Sequence, residues 1–338
     1  MTGQANREVP ALQVDGLTVS YGAKVPVLRD LDLTVGPGEA VTVLGPSGGG
    51  KSTLLHTVAG FVAPQSGEIR IGGRTVATAQ RSEPPEQRGV GMVFQSYALW
   101  PHLTALDTVA YPMLRAGRSR AQARERASEL LELMGIGQLA GRRPAQLSGG
   151  EQQRVGVARA LAREASLYLF DEPTAHLDTA LRGTLQEELA NQRAALGAAV
   201  LYSTHDVAEA FAVADRVALL RDGAVVQVAA PEQIYDEPVD LWAARLTGPA
   251  SALEVALHGT VLVRPEWARL GGPLPARVVA VRFRGPDTDY RLDTPAGLLE
   301  VRERGRPRAR VGEPVGATLD RFWAFGADKP GGTTGRRG

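Results

Sequence analysis

One run of eight residues, Gly45-Pro46-Ser47-Gly48-Gly49-Gly50-Lys51-Ser52, limits what this chain can become more than any other stretch. It satisfies G-x-x-x-x-G-K-[ST], the phosphate-binding loop pattern, which requires a buried strand before it and a helix after it. Both are legible. Ala40-Val41-Thr42-Val43-Leu44 is short, apolar and β-branched, and Thr53 to Ala59 reads as the opening of a helix. Glycines in such a loop let successive N–H groups turn toward an anion, and the helix N-terminus adds its dipole. Lys51 is placed to neutralise β- and γ-phosphate oxygens, and the Ser52 hydroxyl to hold Mg²⁺. The bland alternative is a glycine-rich turn with a chance lysine. Only three lysines, Lys24, Lys51 and Lys329, stand among the 38 basic side chains, so chance explains little. The chain reads as a binder of a nucleoside triphosphate.

At 338 residues there is room for two domains with cores of their own. The net charge of +1 builds no field for nucleic acid or a membrane surface. Absence of cysteine excludes disulfides, thiol catalysis and Cys-based zinc sites. No charged stretch followed by an apolar core opens the chain, and nowhere do 18 apolar residues run together. A soluble, cytoplasmic protein is expected.

Strands are predicted at Leu12–Val19, Val27–Val35, Ala40–Leu44, Gly67–Gly73, Val90–Phe94, Leu167–Phe170 and Ala198–Tyr202. Helices are predicted at Ser119–Met134, Val155–Ala165, Thr179–Leu196 and Val207–Ala214, and a hairpin around Asp222-Gly223. Such alternation predicts an α/β fold with a mostly parallel sheet and antiparallel strands added near the N-terminus. From about residue 250 the pattern changes to short strands (Thr260–Arg264, Ala276–Phe283, Tyr290–Thr294, Ala317–Phe322) rich in Gly and Pro, as in a small OB-like β-barrel. Residues 1–9 and 326–338 are expected to be disordered.

A phosphate-binding loop needs an acid on a neighbouring strand. Asp171 emerges from the apolar run Leu167-Tyr168-Leu169-Phe170, placed for the metal, and Glu172 follows, placed to polarise an attacking water. Their bland reading is a helix N-cap. Ser148-Gly149-Gly150 before a helix is a second glycine-lined helix start, and so a second anion site; its bland reading is Ser148 as a simple cap.

Leu147-Ser148-Gly149-Gly150-Glu151-Gln152-Gln153-Arg154 resembles the signature segment of ATP-binding cassette (ABC) ATPases, and the cassette's other elements follow in family order. The resemblance implies an ATP- and Mg²⁺-dependent P-loop cassette over residues 10–240, with an antiparallel β subdomain and a helical subdomain at about 96–160. It implies that Tyr21 stacks on adenine and that Gly45, Pro46, Ser47, Gly48, Gly49, Gly50, Lys51, Ser52 and Thr53 hold the phosphates. Ser52, Gln95 and Asp171 would hold the metal. Glu172, His205, Gln95 and Lys51 would carry the catalysis. Ser148, Gly149, Gly150 and the D-loop Asp178 would bind ATP, the signature residues across a head-to-tail homodimer. Ala175 and His176 depart from the usual D-loop, which puts in question communication between the two sites.

Val263-Arg264-Pro265-Glu266 resembles the opening of the TOBE domain of importer ATPases, here over 250–325. The implied activity is ATP hydrolysis powering import through integral membrane permease subunits, fed indirectly by an extracytoplasmic solute-binding protein. The chain would sit peripherally on the cytoplasmic face of the membrane. The apolar Tyr97–Leu103 segment is the expected permease contact. Ferric iron, a polyamine or a related small ion is the expected solute. A soluble cassette ATPase acting on DNA or ribosomes is the alternative, although such proteins usually carry two cassettes or a coiled-coil insertion. Nucleic-acid binding by the arginine stretch Arg302–Arg310 is not expected, because it alternates with Glu300 and Glu303 and lacks interleaved aromatics.

Overall fold

The computed structural model describes residues 9–22, 25–94, 98–173, 183, 187, 191, 193, 197–256, 258–325 and 333–335. The chain divides into two units, Met1–Val228 and Ala229–Gly338. The expected boundary at 240–250 therefore falls inside the second unit.

The strands of the first unit are β1 (Leu12–Val19), β2 (Leu28–Val35), β3 (Ala40–Leu44), β4 (Ser66–Ile71), β5 (Arg74–Thr78), β6 (Val90–Val93), β7 (Leu167–Asp171), β8 (Ala199–Thr204), β9 (Arg216–Arg221) and β10 (Ala224–Ala229). Its described helices are α1 (Lys51–Ala59), α2 (Ala105–Arg115), α3 (Arg120–Leu133), α4 (Gly149–Leu161) and α5 (Val207–Val213). Two sheets result. One is antiparallel, in the order β2-β1-β4-β5; the other has the order β10-β9-β3-β8-β7-β6, with β9, β3, β8, β7 and β6 mutually parallel.

Every residue of β3, β7 and β8 is buried, as the apolar runs required. Their side chains still alternate between two cores. Val41, Val43, Leu167, Leu169 and Leu201 join α1 and the antiparallel sheet, whereas Ala40, Tyr168, Phe170, Val200 and Tyr202 join α2, α3 and α4. The α/β cassette architecture, with its parallel sheet, antiparallel subdomain and helical segment, is as expected.

Local corrections have local causes. Helix α2 was not expected because Pro112 lies inside it, a residue that ordinarily ends a helix. Helix α4 starts at Gly149 with Ser148 as its cap, the helix start read from Ser148-Gly149-Gly150; the span Val155–Ala165 took in only its later part. Gly72-Gly73, the end of the expected strand Gly67–Gly73, is the turn of a hairpin that continues into β5. The helix expected at Thr179–Leu196 lies almost wholly outside the described residues.

The second unit contains α6 (Pro231–Asp236) and α7 (Leu241–Thr247), then β11 (Ser251–Val255), β12 (Gly259–Val263), β13 (Ala268–Phe283), β14 (Asp287–Thr294), β15 (Gly297–Arg304), β16 (Pro314–Leu319), β17 (Phe322–Ala324) and β18 (Thr333–Gly335). It is antiparallel β, as expected, in two four-stranded sheets ordered β11-β12-β17-β18 and β15-β14-β13-β16. Both sheets bury residues in one core around Leu253, Val261, Val278, Tyr290, Leu299 and Trp323. β13 begins eight residues before the expected Ala276. Its Gly271-Gly272-Pro273 segment, which reads as a break, is taken up as a bulge in which Leu270 and Leu274 both face Ala317. The expected strand Ala317–Phe322 is two strands, β16 and β17, parted at Asp320-Arg321. The stretches 1–9 and 326–338 fall largely outside the described residues, but Thr333–Gly335 pairs with β17.

Candidate functional site

Parallel register brings the chemistry to one end of the central sheet. Leu44 lies opposite Thr204, and Asp171 opposite Ser203, so the loop after β3, the acids after β7 and the histidine after β8 emerge together. Gly48 (φ 80°) and Gly50 (φ 102°) take left-handed backbone in the loop. At Gly45 a Cβ would stand 2.5 Å from the Leu220 carbonyl oxygen, so only glycine lets the loop pass β9.

Lys51 is buried, and its Nζ donates to the carbonyls of Gly45 (2.9 Å) and Pro46 (3.1 Å). The same ammonium stands 3.6 Å from Glu172 Oε1, and His205 Nδ1 is 3.4 Å from the same oxygen. Glu172 itself has φ 46°, a left-handed conformation that costs a non-glycine residue about 1–2 kcal/mol. Strain of this kind persists where neighbours over-determine it. Here the Glu172 N–H donates to Ser203 O at 3.1 Å and to Ser203 Oγ at 3.3 Å.

Asp171 is fully buried. Its Oδ1 accepts from Ser52 Oγ (2.9 Å) and Ser203 Oγ (2.8 Å), while Oδ2 is buried without a hydrogen bond and lies 3.6 Å from His56 Nε2. A carboxylate with one orphaned oxygen, its other oxygen taking the Ser52 hydroxyl, is a hard-oxygen donor set with Ser52, which suits a small divalent cation such as Mg²⁺.

Tyr21 is half exposed, and its hydroxyl lies 3.3 Å from Thr53 Oγ1, tying it to the first turn of α1. A cavity of about 630 Å³ beside the loop is lined by Val27, Arg29, Pro46, Ser47, Asp222 and Gly223. The hairpin turn forming its far wall has φ 50° at Asp222 and 81° at Gly223, the backbone of a type I′ turn.

Ser148 caps α4 in a reciprocal capping box. Its Oγ accepts from Glu151 N, and Glu151 Oε2 accepts from Ser148 N at 2.7 Å. That N–H holds the Glu151 carboxyl below its usual range. The hydrogen bonds of Ser148 and Gly150 stay at their own helix start, and none reaches the phosphate-binding loop. Gln153, farther along α4, donates to the Pro173 carbonyl next to Glu172. Gln95, Ala175, His176 and Asp178 lie outside the described residues.

Two residues escaped the sequence reading, His56 and Ser203. Ser203 stood in the segment Ser203-Thr204-His205-Asp206 that carries His205, and nothing local gave it a role of its own. A separate groove of about 940 Å³ is lined by Phe61, Met92, Phe94, Trp100, Tyr111 and Arg159, among others. Phe61 packs edge-on to Phe94 at 5.2 Å between centroids, and Arg159 lies 5.3 Å over Trp100. No helix among the described residues is long and apolar enough to cross a membrane.

Residues 28–175 match the ABC transporter family, and residues 261–325 match the TOBE domain. The chain is 46% identical over 313 residues to the Fe(3+) ions import ATP-binding protein FbpC 1 of Rhizobium meliloti, covering 83% of this chain and 88% of that protein. It is 38% identical over 346 residues to the sn-glycerol-3-phosphate import ATP-binding protein UgpC 1 of Rhizobium johnstonii, covering 91% and 92%. Among solved structures it is similar to the dimeric bacterial ABC transporter cassette MJ0796, with 33% identity and a TM-score of 0.61 over 65% of this chain and 98% of that one. A dimeric post-hydrolysis state of the same cassette, bound to ADP and Pi, matches at 32% identity, a TM-score of 0.60, and 65% and 98% coverage.

Proposed function

This chain belongs to the ATP-binding subunits of ABC importers, those with a C-terminal TOBE domain, and we propose that it powers entry of ferric iron through the site built around Lys51, Asp171, Glu172 and His205. The observation that carries the reading is the convergence of Lys51 Nζ and His205 Nδ1 on Glu172 Oε1, at 3.6 and 3.4 Å.

Each residue has a task set by its surroundings. The N–H groups of Gly48 to Ser52 and the Lys51 ammonium bind the phosphates. Tyr21 offers a ring for the base, and stacking tolerates different bases, so selectivity for adenine is loose. Ser52 and Asp171, with Gln95, would hold Mg²⁺, which would supply charge neutralisation at the phosphate oxygens. Glu172 accepts the proton of the attacking water. His205 would donate toward the terminal phosphate, while its Nδ1, 3.4 Å from Glu172 Oε1, keeps Glu172 in place. Ser148, Gly149 and Gly150 offer their helix start to the nucleotide of a second copy, so that ATP joins two chains head to tail. Asp178 belongs to the same junction.

The permease docks in the groove of Phe61, Phe94, Trp100 and Tyr111, which takes in Trp100 of the apolar 97–103 segment and where Phe61 and Tyr111 are exposed. The chain then works as a peripheral subunit at the cytoplasmic face of the membrane. Ferric iron is favoured because several of the similar relatives are named for it. The glycerol-3-phosphate importer relative, which aligns over more of the chain, supports a second reading.

The test is steady-state hydrolysis with Glu172→Gln. Loss of about 10²–10⁴-fold in kcat with ATP binding retained is expected of a general base; retained hydrolysis would sink the assignment. Reconstitution with the permease and a binding protein, followed by uptake of radiolabelled ferric citrate or glycerol-3-phosphate, decides between the two solutes.

A further inference from the structure

Between β3 and β7 runs β8, and one of its side chains touches both acids. Ser203 is fully buried, lies beside Val43 on one flank and Asp171 on the other, and carries the last small hydroxyl before Thr204-His205. Its single proton goes to Asp171 Oδ1 at 2.8 Å. Its oxygen, at 3.3 Å, and its carbonyl, at 3.1 Å, both accept the N–H of Glu172. Resting on the hydrolytic reading above, we infer that Ser203 is a positioning residue for ATP hydrolysis, holding Asp171 and Glu172 in one fixed relation.

Three observations converge on this. First, both hydroxyl donors, Ser52 and Ser203, fall on Oδ1, so the rotation of the carboxylate is set and Oδ2 is the oxygen left without a hydrogen bond. The other polar group near that oxygen is His56 Nε2, at 3.6 Å. Ser52 sits on the phosphate-binding loop and has a second duty there; the Ser203 hydroxyl has the two acid residues as its hydrogen-bond partners among the described residues. Second, Glu172 holds a left-handed backbone, and among the described residues its amide is anchored to Ser203 alone. Third, the frame beneath is stiff. Glu209 of α5 accepts from Tyr202 Oη and Thr204 Oγ1, the side chains flanking Ser203, and Thr204 Oγ1 accepts from Asp206 N at 3.0 Å. An aliphatic residue would keep the carbonyl-to-amide bond and the strand but remove one of the two hydroxyls that hold the carboxylate.

The experiment compares Ser203→Ala, Ser203→Val and Ser203→Thr in the full chain. Threonine keeps the hydroxyl and valine matches its shape without one. Expected are kcat values about tenfold lower for alanine and valine, the scale of one buried hydrogen bond. Threonine should stay within about threefold of the parent, and KM should be nearly unchanged in all three. Affinity for a fluorescent ATP analogue in EDTA should stay within about twofold, since the loop itself is untouched. Alanine at parental kcat overturns the inference. So does threonine falling as far as valine, which would mean packing alone, or a loss seen in KM and EDTA affinity instead of kcat. Glu172→Gln run alongside keeps the cases apart: parental hydrolysis lost in that variant upholds the hydrolytic reading whatever Ser203 does.

Discussion

Arg264 is a fully buried guanidinium whose neighbours are carbonyls. It donates to the main-chain oxygens of Tyr235, Ala244, Gly248 and Pro249 and to Thr247 Oγ1, and it lies 4.0 Å over the Tyr235 ring. Burial lowers its pKa from the usual arginine value. Tyr235 in turn donates to Glu266 Oε1 at 2.6 Å, and burial with that bond pushes its own pKa upward. The motif Val263-Arg264-Pro265-Glu266 thus works as a rivet, fixing α6 and α7 to the start of the β-domain. That is why 231–248 goes with the second unit. Arg264→Met would leave the carbonyls unpaired, at about 1–3 kcal/mol for each one that water cannot reach. A total loss of about 3–5 kcal/mol is expected, read as a lower urea midpoint by tryptophan fluorescence. Trp242, Trp267 and Trp323 all lie in this unit, against Trp100 in the other, so the signal reports it selectively.

At the scale of elements, the β9–β10 hairpin does more than close a sheet edge. Its turn docks against β2, with Arg29 N donating to Gly223 O at 2.9 Å. A Cβ at Gly223 would stand 2.1 Å from Val27 O and 2.9 Å from Val27 C, both main chain that cannot step aside. Gly223→Ala is expected to destabilise by about 2 kcal/mol or more, from left-handed strain alone before the collision. It should also weaken nucleotide binding, because the displaced turn lines the cavity beside the loop. Melting temperature and nucleotide titration on the same sample check both. This hairpin was legible, since Asp-Gly between two apolar runs is a strong local signal. So were β3, β7 and β8, whose burial on both faces leaves unbroken apolar runs. Helix α2 and the first half of β13 were not, because Pro112 and Gly271-Gly272-Pro273 carry the local vocabulary of breaks while tertiary packing overrides it. Ser203 was hidden for another reason: its meaning lies in which residue stands across the neighbouring parallel strand, and register between strands 32 residues apart in sequence is not written in either one.

For the whole molecule, the two glycine-lined helix starts, at Lys51 and at Gly149, are built separately, with no hydrogen bond between them among the described residues. On the head-to-tail reading proposed above, a γ-phosphate held by both belongs to two chains. Glu172→Gln, which slows hydrolysis without removing Lys51 or Ser148, is expected to accumulate a dimer on addition of ATP and Mg²⁺, seen as a doubled mass in light scattering. A monomer under those conditions would count against the head-to-tail clamp. The capping box at Ser148 bears on how fast such a clamp could form. With Glu151 already bonded to Ser148 N, and Ser148 Oγ to Glu151 N, the helix start is folded in the lone chain. Association then carries little ordering entropy at that surface. The closing rate would be set by encounter and orientation of two finished surfaces, and the lifetime of the closed state by the nucleotide between them.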